Sequence, residues 1–223
     1  LVRWQHHVRG MVFPGEFIEL MEETGLVVEL GKQMLEMACT QTKDWIDQGV
    51  IDEKTTVAVN ISVLQLSNGK LLDTVKDILE KTGLSPKCLE LEVTEYSMMN
   101  DIEKAILVLN DLQQLGVSIA VDDFGTGYSS LTYLSKLPVN TLKIDQYFVN
   151  GIGADQNDES IVKATINLAH SLHLKVTAEG VETEEQRVFL IENKVDYLQG
   201  YLFSKPKSAQ DLEQWIEQKN IRE

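Results

Sequence analysis

The stretch IAVDDFGTGYSS, residues 119–130, joins a run of apolar residues to two adjacent carboxylates and a glycine turn. An apolar run that ends at a glycine turn predicts a short buried strand at the point where it leaves a sheet. Asp122 and Asp123 would repel each other at such an exit unless a cation compensated for their charge. The stretch therefore predicts a strand whose carboxyl end holds a cation, and a divalent metal ion is the first candidate.

Strand-like and helix-like runs alternate along the rest of the chain. The predicted strands are Val57–Asn60, Leu89–Thr94, Ser118–Asp122, Thr141–Ile144, Lys175–Ala178 and Tyr197–Gly200. Runs with apolar residues at helical spacing lie between them, and two of these runs end at Gly83 and Gly116. Thr183, with Gln186 three residues later, predicts a capping box, and Ser208 is a candidate N-cap of a last helix. Strands separated by helices pair in parallel through crossovers, which predicts an α/β fold.

An open doubly wound sheet and a closed barrel both fit this alternation. Triplets such as Val57-Ala58-Val59 are apolar throughout, which predicts a sheet that is covered on both faces. Nearly every predicted strand ends in polar residues, namely Asn60, Glu92 with Glu95, Asp122 with Asp123, Lys143 with Asp145, Glu179 with Glu182, and Gln199. A barrel gathers the carboxyl ends of its strands around one opening, whereas the outer strands of an open sheet would keep such residues apart. No GxGxxG or GxxxxGK[ST] loop follows the first predicted strand, so we predict one barrel domain over residues 1–223.

The residues at the strand ends form a set of oxygen ligands. Carboxylates and an amide suit Mg²⁺ or Mn²⁺, whereas a zinc site more often recruits histidine or cysteine. Lys143 lies among these acids, where it would either stabilise negative charge that develops in a reaction or only neutralise the carboxylates. A Schiff-base role for Lys143 is disfavoured, because crowded carboxylates keep the amine protonated and therefore poorly nucleophilic.

Composition narrows the classes of partner. The chain has 223 residues, a formal net charge of −15 and a pI near 4.7. Such an acidic chain is a poor candidate for binding DNA, RNA or an anionic membrane surface nonspecifically. No apolar run approaches the roughly eighteen residues of a membrane span. The two cysteines, Cys39 and Cys88, are far apart in sequence, and we expect a reduced, cytoplasmic setting.

Eight motifs together resemble the EAL domain, a family of bacterial cyclic-di-GMP phosphodiesterases with a modified TIM (β/α)8 barrel. They are LVRWQH, FPGEFIELMEETGL, VAVNIS, LELEVTE, AVDDFGTGYSSL, LPVNTLKID, VTAEGVET and DYLQGYLFSKP, and they run from Leu1 to Pro206 in family order. The resemblance implies that the parent protein hydrolyses cyclic-di-GMP to linear pGpG with two Mg²⁺ or Mn²⁺ ions per site. A catalytically inactive cyclic-di-GMP receptor is the alternative.

The resemblance also implies roles for individual residues. Asn60, Glu92 and Asp122 would bind the first metal ion, and Asp122 would bridge to a second ion held by Asp123. The residues with implied catalytic or supporting roles are Lys143, which would contact the nucleophilic water, Glu179, as water ligand or general base, and Glu95 and Glu182, which would steady the loop after Asp123. The residues with implied nucleotide contacts are Asp145, Gln199, Arg3, which would pair with a phosphate, and Leu1, which would line the pocket.

The chain begins at what would be the leucine of the family's Glu-Ala-Leu triplet. We therefore expect the first barrel strand, most of the second and one metal-binding glutamate to be missing from it, with Leu1 to Trp4 as the end of the second strand. For residues 1–223 alone we expect weak or no catalysis. The resemblance further implies a homodimer in the bacterial cytoplasm, as part of a larger or membrane-anchored protein, with no membrane contact by this domain itself.

Overall fold

Eight strands follow one another along the chain in a computed structural model, which describes residues 2–99, 101–125 and 134–220. The strands are β1 (Trp4–His6), β2 (Gly10–Val12), β3 (Val57–Ile61), β4 (Leu89–Thr94), β5 (Ser118–Phe124), β6 (Thr141–Ile144), β7 (Lys175–Ala178) and β8 (Tyr197–Leu198). All six strands predicted from the sequence are present, with ends that differ by at most two residues.

Helices separate most of these strands. They are α1 (Ile18–Thr24), α2 (Val27–Asp47), α3 (Val63–Ser67), α4 (Leu71–Thr82), α5 (Glu95–Met99), α6 (Ile102–Leu115), α7 (Gln146–Asn150), α8 (Gln156–Ser171), α9 (Glu184–Glu192) and α10 (Ala209–Asn220), with short 3-10 turns at Pro14–Glu16 and Pro86–Cys88. Gly83 and Gly116 end α4 and α6 in the left-handed conformation, as predicted. Thr183 and Gln186 form the predicted capping box of α9. In this part of the chain no helix has the length and apolarity needed to cross a membrane.

The six strands β3 to β8 form one parallel sheet in chain order. This order, with a helix after most strands, is that of a TIM-type α/β barrel, and the predicted fold class is confirmed. Among the described residues the sheet is open, because β3 and β8 do not pair with each other. All carboxyl ends of the strands lie at the same end of the sheet, where the polar residues predicted from the sequence follow.

The two faces of the sheet differ in polarity, although triplets such as Val57-Ala58-Val59 are apolar throughout. Side chains alternate between the faces of a strand, and paired residues of parallel strands share a face. The outer face carries buried apolar residues, among them Val59, Leu91, Val93, Val121, Leu142 and Val176, that pack in one core with the helices. The inner face carries small and polar residues, among them Asn60, Glu90, Glu92, Ala120, Asp122, Thr141 and Lys143. The hydrophobic core therefore lies between sheet and helices.

The segment before α2 forms a unit of its own. Trp4, which we expected to end a strand of the barrel, instead begins β1. Among the described residues β1 pairs with β2 alone, in a small antiparallel sheet. His6 closes this hairpin, because its Nδ1 accepts the N–H groups of Val8 and Arg9. Leu1 lies outside the described residues.

Gly200 provides a test of how closely the loops at the carboxyl ends pack. A Cβ atom at Gly200 would lie 2.1 Å from the carbonyl oxygen of Val181. We predict that Gly200→Ala lowers the free energy of unfolding by about 1–3 kcal/mol, since backbone cannot yield as a side chain does. Denaturant unfolding measures the loss. Gly15→Ala is the control, because a Cβ there meets nothing within 4 Å. Equal stabilities of the two variants would contradict this packing.

Candidate functional site

Lys143 is the centre of the site. Its ammonium group lies 2.5 Å from Oε1 of Glu92, 3.1 Å from Oδ1 of Asp122 and 2.6 Å from Oε1 of Glu179. These residues come from β4, β5, β6 and the end of β7, which are neighbours in the sheet. Side chains that the sequence scatters over 88 positions therefore meet around one buried amine. The structure brings together four of the residues predicted at the strand ends.

The charges of this cluster set its protonation. Burial opposes the charged form of Lys143, but Glu92, Asp122 and Glu179 outweigh it and raise the pKa of the amine. The amine therefore stays protonated at neutral pH, which argues against Schiff-base chemistry. Burial raises the pKa of Glu92 and of Glu179, and the attraction of Lys143 compensates only in part. Three carboxylates around one ammonium leave an excess of negative charge.

Asp122 and Asp123 reach the same site through a local irregularity of β5. Consecutive side chains of a regular strand point to opposite faces. Here the pairing of β5 with β6 shifts between Val121 and Phe124, so that Asp122 and Asp123 both lie opposite Lys143. One extra residue in a strand is the mark of a β-bulge. Asp123 also has a left-handed φ of 54°, and its N–H group donates to Oδ1 of Asp122 at 3.1 Å.

These two aspartates and Glu179 form a candidate metal site. Each offers one carboxylate oxygen, and the three oxygens lie within 4.8 Å of one another. The donor set consists of hard oxygen ligands with excess negative charge, which fits a divalent cation such as Mg²⁺ or Mn²⁺. Glu92 lies outside this group of three oxygens and shares with Asp122 and Glu179 the contact with Lys143.

Asp123 and Asp145 form an acidic pair beside this cluster. Burial, the charge of Asp122 and a hydrogen bond with Asp145 raise the pKa of Asp123 to about 6. Asp145 also begins α7, because its Oδ1 accepts the N–H group of Tyr147 at 2.6 Å. The start of α7 is therefore tied to Asp123.

Asn60 and Glu95 are neighbours of Glu92. Asn60 lies beside it in the adjacent strand β3, and Glu95 follows it along the chain at the end of β4. Asn60 is paired in register with Glu92 and is exposed at the inner face of β3. Glu95 opens α5 and is only 5% exposed, and its two carboxylate oxygens have no hydrogen-bond partner in the part of the chain that the structure describes. The segment that Glu95 is expected to steady, residues 126–133, lies outside that part.

The remaining predicted residues surround the cluster less closely. Glu182 is exposed, and its N–H group donates to Oε1 of Gln186 at 2.7 Å. Gln199 is exposed and links β8 to the loop after β7 through its backbone. Arg3 lies by the N-terminal hairpin, where its guanidinium group is 5.2 Å from the centre of the Phe13 ring.

Two buried glutamines that we did not predict as site residues hold loops next to it. Gln65 accepts from the N–H group and the hydroxyl of Ser62, and Gln186 accepts from the N–H groups of Glu182 and Thr183. The signal was present in the sequence, because both glutamines complete a Ser/Thr-x-x-Gln capping box just after a strand.

Comparison with known families agrees with this geometry. The family model for the EAL domain matches residues 1–206. This chain belongs to the EAL domain family. The resemblance drawn from the sequence motifs is thereby confirmed. The metal dependence of EAL phosphodiesterases fits the carboxylate cluster of this chain.

Curated relatives of this EAL domain are longer proteins. The bifunctional diguanylate cyclase/cyclic di-GMP phosphodiesterase MucR of Pseudomonas aeruginosa is 44% identical over 95% of the chain and 31% of its own length. The cyclic di-GMP phosphodiesterase NbdA of the same species is 45% identical over 97% of the chain and 27% of its own length. The cyclic di-GMP phosphodiesterase PdeR of Escherichia coli is 38% identical over 96% of the chain and 32% of its own length. The chain thus spans about a third or less of the length of these relatives.

Solved structures of EAL domains share the fold. A structure of the MucR phosphodiesterase in complex with c-di-GMP has a TM-score of 0.91 at 44% identity, over 95% of this chain and 85% of that one. The EAL enzyme Bd1971, with cAMP and cyclic-di-GMP bound, has a TM-score of 0.91 at 33% identity, over 96% of this chain and 58% of that one.

Removal of the central amine tests the electrostatic account. We predict that Lys143→Met lowers the free energy of unfolding of the metal-free protein by about 3–5 kcal/mol, because three buried carboxylates lose their common partner. Denaturant unfolding in the presence of a chelator measures the loss. Lys175→Met, at an exposed position of β7, is the matched control and should cost no more than about 1 kcal/mol. An equal loss in both variants would refute the central role of Lys143.

The raised pKa of Asp123 predicts a dependence of stability on pH. The folded state binds this proton more tightly than the unfolded chain, so in the metal-free protein stability falls as the pH rises from about 4 to about 6. Asp123→Asn removes this loss and should raise the melting temperature at about pH 8 by roughly 2–4 °C, with no gain at about pH 4. Asp111→Asn, on the exposed side of α6, is the control. A gain that is the same at both pH values would rule out this origin.

Proposed function

We propose that this EAL domain hydrolyses cyclic-di-GMP to linear pGpG, in a reaction that needs Mg²⁺ or Mn²⁺. The observation that carries the proposal is the set of three carboxylate oxygens, from Asp122, Asp123 and Glu179, within 4.8 Å of one another beside the ammonium group of Lys143. The names of MucR, NbdA and PdeR as cyclic di-GMP phosphodiesterases support the same activity and substrate.

Two metal ions per site are part of the proposal. Asn60, Glu92 and Asp122 would hold one ion, and Asp122 and Asp123 would hold the other. Bound cations supply Lewis acidity towards a phosphoryl oxygen and lower the pKa of water. The bulge in β5 supports this assignment, since it presents two adjacent carboxylates to one site.

Lys143 and Glu179 would carry the chemistry of the chain itself. A protonated Lys143 places a fixed positive charge where negative charge develops on the phosphate and on the attacking oxygen. Glu179 would orient the attacking water or accept its proton, and its raised pKa favours the latter role. Glu92 and Asp122 hold the amine in place from the other side.

Contacts to the nucleotide would come from residues around this centre. Asp145 and Gln199 would contact the dinucleotide, and Arg3 would pair with one of its phosphates. Glu95 and Glu182 would steady the loop that follows Asp123. The buried carboxylate of Glu95 supports such a role, because a group of this kind requires a partner.

The setting of the domain is a proposal as well. We propose a homodimer that works in the bacterial cytoplasm, within a larger protein. The length of the curated relatives supports the last point, since the matched region is about a third or less of each of them.

Turnover of cyclic-di-GMP tests the proposed function. The purified full-length protein that contains this domain should release pGpG with Mn²⁺, measured by chromatography, and Glu179→Gln should lower the rate by about 10²–10⁴-fold. Glu184→Gln is the matched control, because Glu184 is exposed on α9 and pairs with Arg187.

Calorimetry with cyclic-di-GMP separates the alternative. Binding by the folded protein without hydrolysis, with or without a metal ion, would replace the enzyme by a receptor for the dinucleotide. If the folded protein neither binds nor hydrolyses cyclic-di-GMP, both the enzyme and the receptor hypotheses are overturned.

A further inference from the structure

A buried glutamine controls the path of the chain directly after Asn60. Oε1 of Gln65 accepts hydrogen bonds from the N–H group and from the hydroxyl of Ser62, both at 3.1 Å. Oγ of Ser62 accepts in return from the N–H group of Gln65 at 3.3 Å. Ser62 is two residues from Asn60, and Gln65 is only 4% exposed. The capping box of α3 therefore fixes the exit of β3, the strand that carries Asn60.

The long helix α2 leaves room for this glutamine at Gly31. Gly31 is buried in α2, and a Cβ atom built there would lie 2.2 Å from Nε2 of Gln65. Any larger residue would have to displace the amide from its place. The position of Gln65 is thus determined by contact with the backbone of α2 as well as by its bonds to Ser62.

Among the described residues, the exit of β3 has a neighbouring strand on one side, whereas the exit of β7 has one on each side. Within the described sheet β3 is an edge strand, and β4 is its one neighbour. The loop after β7, by contrast, is tied by backbone hydrogen bonds to both sides, from Glu179 to Ile144 and from Val181 to Gln199. Gln186 therefore holds a loop with backbone hydrogen bonds to two neighbours, whereas Gln65 holds the loop of a strand with one described neighbour.

We infer that Gln65 is a positioning residue for metal binding, which places the amide of Asn60 beside Glu92 through the Ser62 capping box and the glycine contact with α2. The inference rests on the proposed function, in which Asn60 is a metal ligand. It assigns a part in the metal site to α2, a helix that contributes no ligand.

Binding of Mn²⁺, measured by calorimetry on the purified protein, tests this inference. Gln65→Met keeps the volume but removes the acceptor, and it should raise the dissociation constant about 10-fold or more, as loss of a group that orients a metal ligand does. Gln65→Glu keeps the acceptor in the other common form of the capping box and should restore most of the affinity. Gln186→Met removes the corresponding acceptor of α9 and should leave the dissociation constant nearly unchanged.

A double-mutant cycle separates positioning from a general loss of stability. If Gln65 acts through Asn60, then Gln65→Met should weaken Mn²⁺ binding no further in the Asn60→Ala background. Gly31→Ala is a second variant for the case that Gln65→Met does not fold, and it should also weaken binding, although alanine favours a helix more than glycine does. Melting temperatures in a chelator report the structural cost of every variant.

The outcomes distinguish this inference from the proposed function. Mn²⁺ binding by the unmodified protein that Gln65→Met and Gly31→Ala leave unchanged would overturn the role of Gln65 alone. Equal weakening by Gln65→Met and Gln186→Met would overturn it as well, since a cap lost at either helix would then suffice. Absence of any Mn²⁺ binding by the unmodified protein would overturn the metal-dependent function and this inference with it.

Discussion

The contact of one buried ammonium group with three carboxylates is the constraint on which the rest of the site depends. Lys143 compensates for part of the charge of Glu92, Asp122 and Glu179, and without it these groups would not remain together in a buried place. The compensation is incomplete, because three negative charges face one positive charge and Asp123 adds a fourth. The fold thus stabilises an arrangement that still attracts a divalent cation. Under the proposed function, the cation would also offset the residual negative charge, which would otherwise repel a phosphodiester substrate.

The irregularity in β5 gives this arrangement its geometry. A regular strand would point Asp122 and Asp123 to opposite faces, and the second carboxylate would then lie among the apolar residues under the helices. The extra residue between Val121 and Phe124 avoids that cost and places both carboxylates opposite Lys143. Asp145 forms a hydrogen bond with Asp123 and also begins α7. The bulge in β5 is thereby connected to the start of this helix.

Sequence reasoning reached the parallel α/β fold and the residues at the strand ends, because hydrophobic periodicity and helix stops are local signals. It missed what depends on partners elsewhere in the chain. The left-handed conformation of Asp123 cannot be read from residue spacing. The hairpin of Trp4–His6 with Gly10–Val12 joins two short runs through a local turn, and β1 pairs there instead of in the main sheet. Some strand triplets look uniformly apolar because the residue on the polar inner face is alanine. Ala58 and Ala120 are examples. The role of Gln65 was readable as a capping motif, but its contact with Gly31 required the three-dimensional arrangement.

The difference between the two faces of the sheet bears on how such a domain can diverge. Residues that keep the chain folded, such as Leu91, Val121 and Leu142, lie on the outer face, whereas most of the residues that would perform the chemistry lie on the inner face or at the strand ends. Selection for stability and selection for activity therefore act on largely separate sets of positions. A lineage can lose a proposed ligand such as Asn60 and still inherit an intact scaffold. Under the proposed function, a change from hydrolysis to sensing is therefore a short evolutionary step for this architecture.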